Sequence, residues 1–102
     1  MKRVMVRYRV RPDQAAANEG SIKAVFQQLE ERQPSGLRYA SFKLDDGVSF
    51  VHIVSHETAD GSHALQDLPA FQAFTAAIPA RCVEPPVATP LHEIGSYRGS
   101  GD

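Results

Sequence analysis

The strongest local constraint in this 102-residue chain is Asp45-Asp46-Gly47. It stands between two β-rich runs, residues 37–44 and 48–54. Asp-Gly between such runs predicts a β-hairpin, because Gly adopts the positive φ that a tight hairpin turn needs. A two-residue turn at Asp46-Gly47 would pair Asp45 with Val48. The register then sets Leu44 against Ser49, Phe42 against Val51 and Ala40 against Ile53. These pairs share one mostly apolar face. The other face carries Leu37, Tyr39, Ser41 and Lys43 beside Val48, Phe50, His52 and Val54, with His52 opposite Ser41.

The remaining segments build around that hairpin. Val4, Val6, Tyr8 and Val10 alternate with Met5, Arg7, Arg9 and Arg11, the period of a strand with one apolar face. Pro12 ends it, and Asp13 is a candidate cap for the following helix. Ile22, Val25, Phe26 and Leu29 recur at helical spacing. Gly20 weakens the early part, so the firm helix is expected from about Ser21, closing at Pro34-Ser35-Gly36. Asp60-Gly61-Ser62 opens a second helical region with Leu65 and Leu68. Asp67 is a new cap with Pro69 in the first turn; Phe71, Phe74 and Ile78 continue the stripe, and Pro79 stops it. Pro85 and Pro86 predict a linker, and residues 88–97 a last edge strand marked by Pro90.

The order β-α-β-β-α-β implies a ferredoxin-like α+β sandwich: a four-stranded antiparallel sheet with both helices on one face. One domain over residues 1–97 and a flexible tail over 98–102 are expected. Apolar residues make up 42% and charged residues 23%, an ordinary globular balance. The net charge of -1 removes the simplest electrostatic case for nucleic acid. A single cysteine, Cys82, excludes an internal disulfide and fits a reduced, cytoplasmic setting. No signal peptide and no membrane span are expected.

With two helices on one face, the sheet's other face is open. The expected residents of that face are Leu37, Tyr39, Val48, Phe50 and Val54. An exposed apolar patch of that kind calls for a partner. Arg7 and Arg9, opposite the valines, are expected to enter the same face near His52, where they could hold a carboxylate or phenolate.

The strand and helix order, the chain length and the run Leu68-Pro69-Ala70-Phe71-Gln72-Ala73-Phe74 resemble the dimeric α+β barrel superfamily. That superfamily includes the antibiotic biosynthesis monooxygenases and many small proteins of unknown function. The resemblance implies a homodimer with two sheets packed face to face, and a cleft for a small aromatic or hydrophobic molecule. It implies a cofactor-independent, monooxygenase-like enzyme, with no metal and no cofactor. The family's best-known members rely on an Asn and a Trp, with a His in the haem-degrading branch. This chain has no Trp, and Asn18 is its only Asn. No catalytic residue is carried over by motif, and haem degradation is disfavoured.

His52 is the candidate catalytic base, since an imidazole near neutral pKa can remove a phenolic proton. Arg7, Arg9, Tyr39, Ser41 and Phe50 are the candidate ligand-binding residues, with Arg9 as anion anchor and Tyr39 and Phe50 as aromatic walls. His52 and His56 are four apart, about 13 Å along a strand, too far to share one metal ion. Cys82, after Arg81 at a helix C-terminus, reads as packing rather than a nucleophile. One alternative is a non-catalytic ligand-binding or scaffold dimer. Another is an RNA recognition motif, whose third-strand pattern matches at Gly47, Phe50 and Val51 but fails at Asp46, Val48 and Ile53.

Overall fold

The computed structural model describes residues 2–57 and 64–98. The first strand, β1 (Lys2–Val10), leads through a 3-10 turn at Pro12–Gln14 into α1 (Ala15–Arg32). The hairpin strands are β2 (Leu37–Lys43) and β3 (Ser49–His56). A 3-10 turn at Ala64–Asp67 precedes α2 (Pro69–Arg81), and β4 (Cys82–Leu91) follows directly. The sheet is antiparallel with order β2-β3-β1-β4. This is the ferredoxin-like α+β arrangement expected from the sequence.

Several boundaries differ from expectation. The helix α1 begins at Ala15, so Gly20 is carried inside it on an exposed position, and Asp13 makes no cap bond. Residue Gln33 takes a left-handed φ of 45°, and its N–H returns to the Leu29 carbonyl at 2.7 Å. Pro34 then bars a further turn. At the other helix the cap position is Leu68, not Asp67, and Pro69 opens α2 where its missing N–H is not needed. The orphan N–H of Ala70 is taken by Gln28 Oε1 from α1 at 3.0 Å. Pro79 lies inside α2 instead of ending it, two residues before Arg81. The Asp60-Gly61-Ser62 opening falls outside the described residues.

The last strand also begins earlier than expected. It includes Pro85, Pro86 and Pro90 rather than following a linker, and it ends at Leu91. An edge strand tolerates them, because one row of its N–H groups has no ladder partner. The register against β1 slips between Arg7 and Arg9 and again before Val10.

The hairpin register holds: Phe42 faces Val51, Ala40 faces Ile53 and Ser41 faces His52. The turn is wider than two residues. Asp46 draws the Val48 and Ser49 N–H groups to its carboxylate at 3.0 and 2.8 Å, so Val48 does not pair with Asp45. Gly47, at φ 78°, lets the chain reverse.

The largest correction concerns the faces of the hairpin. β3 pairs with β1 so that Tyr8 faces Phe50, Val6 faces His52 and Val4 faces Val54. Residues paired across strands share a face. Tyr39, Ser41, Phe50, His52 and Val54 therefore lie with the valines under the helices, not on the open face. Tyr8, Val10 and Phe50 pack with Ile22 and Val25 of α1 and Phe74 and Ile78 of α2. Phe50 is 1% exposed. The open face instead carries Met5, Arg7 and Arg9, Ala40 and Phe42, Val51 and Ile53, and Val87.

Candidate functional site

A cavity of about 490 Å3 lies between the covered face of the sheet and α2. Val4, Val6 and Val54 form apolar floor, Phe71, Phe74 and Ile78 the helical wall, and Pro86 a side. Tyr8, Tyr39 and His52 bring polar atoms into this lining from three neighbouring strands. Such an apolar hollow with a few convergent polar groups is the usual form of a small-molecule site.

His52 stands at the centre of that polar group and is 4% exposed. Its Nε2 lies 2.8 Å from the Tyr8 hydroxyl. Its Nδ1 lies 2.6 Å from Ser41 Oγ and 3.0 Å from the Tyr39 hydroxyl. Strand pairing creates this cluster, since Ser41 is His52's direct partner on β2 and Val6 its partner on β1. The His52 ring runs within 10° of parallel to Tyr8 and Tyr39, while Phe74 meets it edge-on. Behind Tyr8, the fully buried Asn18 gives its amide N–H to the Tyr8 oxygen at 2.8 Å. Arg81 in turn gives N–H bonds to Asn18 Oδ1 at 3.3 Å and to Ser21 Oγ at 3.0 Å.

Burial decides the charge state of this group. Desolvation lowers His52 from 6.5 to about 4, so the imidazole is neutral at pH 7. Desolvation also raises Tyr8 and Tyr39 above the usual phenol value, so both keep their protons. The cluster is therefore a set of neutral donors and acceptors. His52 can take up a proton when an anion forms beside it, because the ion pair offsets the burial that otherwise disfavours imidazolium.

The candidate residues separate into two groups. Tyr39, Ser41 and His52 converge. Phe50 sits below them, stacked on Tyr8 with centroids 5.7 Å apart, and is core rather than cavity wall. Arg7 and Arg9 are on the opposite face of the sheet from His52, and both are exposed. Arg9 pairs with Glu84 at 3.0 Å. The expected convergence of the arginines on His52 is thus overturned, because the hairpin presents its other side to the helices. Tyr8 and Asn18 were not among the sequence candidates. Tyr8 was legible as an apolar strand position, but its hydroxyl's partners come from residues 10 and 44 positions away.

His56 also lines the cavity, four positions along β3. Among the described residues no group of three His, Cys, Asp or Glu is placed to hold a metal ion. His63 falls outside the described residues. Cys82 begins β4 half-buried, and desolvation pushes its thiol up, away from nucleophilic character. No helix among the described residues is long and apolar enough to cross a membrane.

No family model matches the chain, and no curated protein matches it. Solved structures do. The Mycobacterium tuberculosis protein Rv0793 is 21% identical, with a TM-score of 0.73 over 93% of this chain and 96% of its own. A Nitrosomonas europaea protein described as a candidate antibiotic biosynthesis monooxygenase is 16% identical, with a TM-score of 0.76 over 93% and 100%. A Caulobacter crescentus protein of the same description is 21% identical, with a TM-score of 0.67 over 92% and 90%. These likenesses show that the chain shares the ferredoxin-like fold of these solved structures.

Proposed function

We propose that this protein binds a small hydroxylated aromatic molecule in the cavity and acts on it as a cofactor-independent, monooxygenase-like enzyme. The observation that carries the proposal is the cavity itself: largely apolar walls, also lined by His56 and Thr75, with a polar cluster centred on an imidazole that burial keeps neutral. A phenol or naphthol fits those walls, with its hydroxyl beside Tyr8, Tyr39 and His52. His52 is the proton acceptor, working through the Tyr8 hydroxyl on its Nε2. The anion of an electron-rich arene can reduce dioxygen directly. For 1-naphthol the balanced outcome is 1,4-naphthoquinone and water from one dioxygen. The setting we propose is a reduced cytoplasm, and the working unit a single domain over residues 1–97.

A homodimer is part of the proposal. Phe42 and Val87 are 53% and 62% exposed, with Val51 and Arg7 in the row between them and Met5 and Ile53 beside that row on the open face. A second copy of the same face would remove this patch from water. Light scattering should give a mass near twice 11.2 kDa. A mass of 11.2 kDa at every concentration would count against the dimer.

A second reading has its own support. Both ring nitrogens of His52 already have protein partners, and a base near 4 is weak. Those facts favour a binding protein that orients a ligand without changing it. 1-Naphthol separates the readings. Calorimetry should detect binding to the wild type, weakened at least about tenfold by the cavity-filling Val54→Phe. Equal binding by Val54→Phe would remove the cavity from both readings. Oxygen uptake that accompanies loss of naphthol and is reduced in His52→Ala supports the enzyme. Binding without uptake supports the non-catalytic reading.

A further inference from the structure

We infer that Asn18 and Arg81 are positioning residues that fix the tautomer of His52, acting through the Tyr8 hydroxyl. The chain of reasoning begins at Arg81, the last residue of α2. A guanidinium only donates, so the Asn18 atom 3.3 Å from Arg81 Nη1 must be the amide oxygen. That holds the Asn18 NH2 toward Tyr8, 2.8 Å from its oxygen. The Tyr8 oxygen accepts there, and its single hydrogen is left for another partner.

His52 Nε2, 2.8 Å away, is that partner. If Nε2 carried a hydrogen instead, the Tyr8 hydrogen would turn into the cavity without an acceptor among the described residues. That arrangement leaves the donor unmatched on Tyr8, which is 3% exposed, whereas the opposite tautomer leaves one unmatched only on the half-buried Tyr39, so the second is favoured. The lone pair therefore lies on Nε2 and the hydrogen on Nδ1, which donates to Ser41 Oγ at 2.6 Å. One consequence reaches the cavity: Ser41 gives its hydrogen to the Tyr39 oxygen, so the Tyr39 hydrogen is left for a ligand oxygen.

The test needs no ligand and so stands apart from the proposed function. Two-bond proton–nitrogen correlation spectra of histidine-labelled protein at pH 7 report the tautomer directly, with His52→Gln identifying the signals. The wild type should show Nδ1 protonated and Nε2 bare. Asn18→Asp reverses the polarity: its carboxylate accepts from Tyr8, whose oxygen then accepts from Nε2–H. That variant should show the opposite tautomer, a change that general loosening of the fold would not produce. Arg81→Met frees the Asn18 amide to turn and should show both tautomers; it serves if Asn18→Asp does not fold. A wild type with Nε2 protonated would overturn the inference. So would a folded Asn18→Asp with the wild-type tautomer, or an Arg81→Met that keeps a pure Nδ1–H form.

Discussion

The two faces of the sheet use the same alternation to opposite ends. The covered face holds Tyr8, Phe50, Tyr39 and His52, large rings of which two carry hydroxyls and one an imidazole. The open face holds Met5, Ala40, Phe42, Val51 and Ile53, with arginines among them. By apolar character alone, the hairpin's open side looks the better core. The difference is that polar atoms on the covered side satisfy one another. His52 is buried because Tyr8, Ser41 and Tyr39 complete its bonds. Among the described residues no comparable partner set meets Arg7 on the open side, and a charge buried without one is costly. Charge, more than hydrophobicity, decided which face went inside.

The same substitution on each face tests that contrast most severely. Phe50→Asp would place a carboxylate where the native ring is 1% exposed. The cost should be on the order of 5 kcal/mol or more, much of a small domain's stability. Circular dichroism should find the variant unfolded at 25 °C. Phe42→Asp, on a ring 53% exposed, should leave the subunit folded and halve the mass in light scattering. A folded Phe50→Asp would break the assignment of faces. A Phe42→Asp dimer of unchanged mass would remove the open face as the interface.

The buried imidazole makes the covered face sensitive to acid. His52 titrates at about 4 in the folded chain against 6.5 when exposed. Between those values the unfolded chain binds the extra proton, so stability rises with pH. The contribution is complete above about 6.5 and is lost as pH falls toward 4, a difference of about 3 kcal/mol. His52→Gln keeps a hydrogen-bonding side chain but cannot titrate. Urea midpoints taken from pH 7 to pH 4 should fall more steeply for the wild type than for this variant. Parallel curves would mean that His52 is not held neutral.

Local chemistry was legible in the sequence, and long-range pairing was not. The hairpin register followed from Asp46-Gly47, and the element order followed from periodicity and proline. The partner of β3 on its far side is β1, 40 or more positions away, and nothing local sets which hairpin face joins the valines. That one unknown moved Phe50 into the core and separated Arg7 and Arg9 from His52. Pro85 and Pro86 misled for a related reason: a proline reads as a break until the strand is known to be an edge. Asn18 gave no signal as a site residue, because its role depends on Tyr8 and Arg81 arriving from other elements.

The smallest expected effect lies on the open face and measures how wet its rim is. Arg9 and Glu84 pair at 3.0 Å with both side chains about half exposed. Solvent and salt screen such a pair, so Glu84→Gln should cost below about 0.5 kcal/mol. Urea titrations of wild type and variant should nearly coincide, and 1 M salt should close the remaining gap. A loss above about 1 kcal/mol that survives salt would mean the pair is shielded in the native assembly. The interface would then take in the Arg9–Glu84 pair as well as the row from Phe42 to Val87. Coincident curves would instead leave the Arg9–Glu84 pair in solvent at the rim, with Arg7 rather than Arg9 inside the row from Phe42 to Val87.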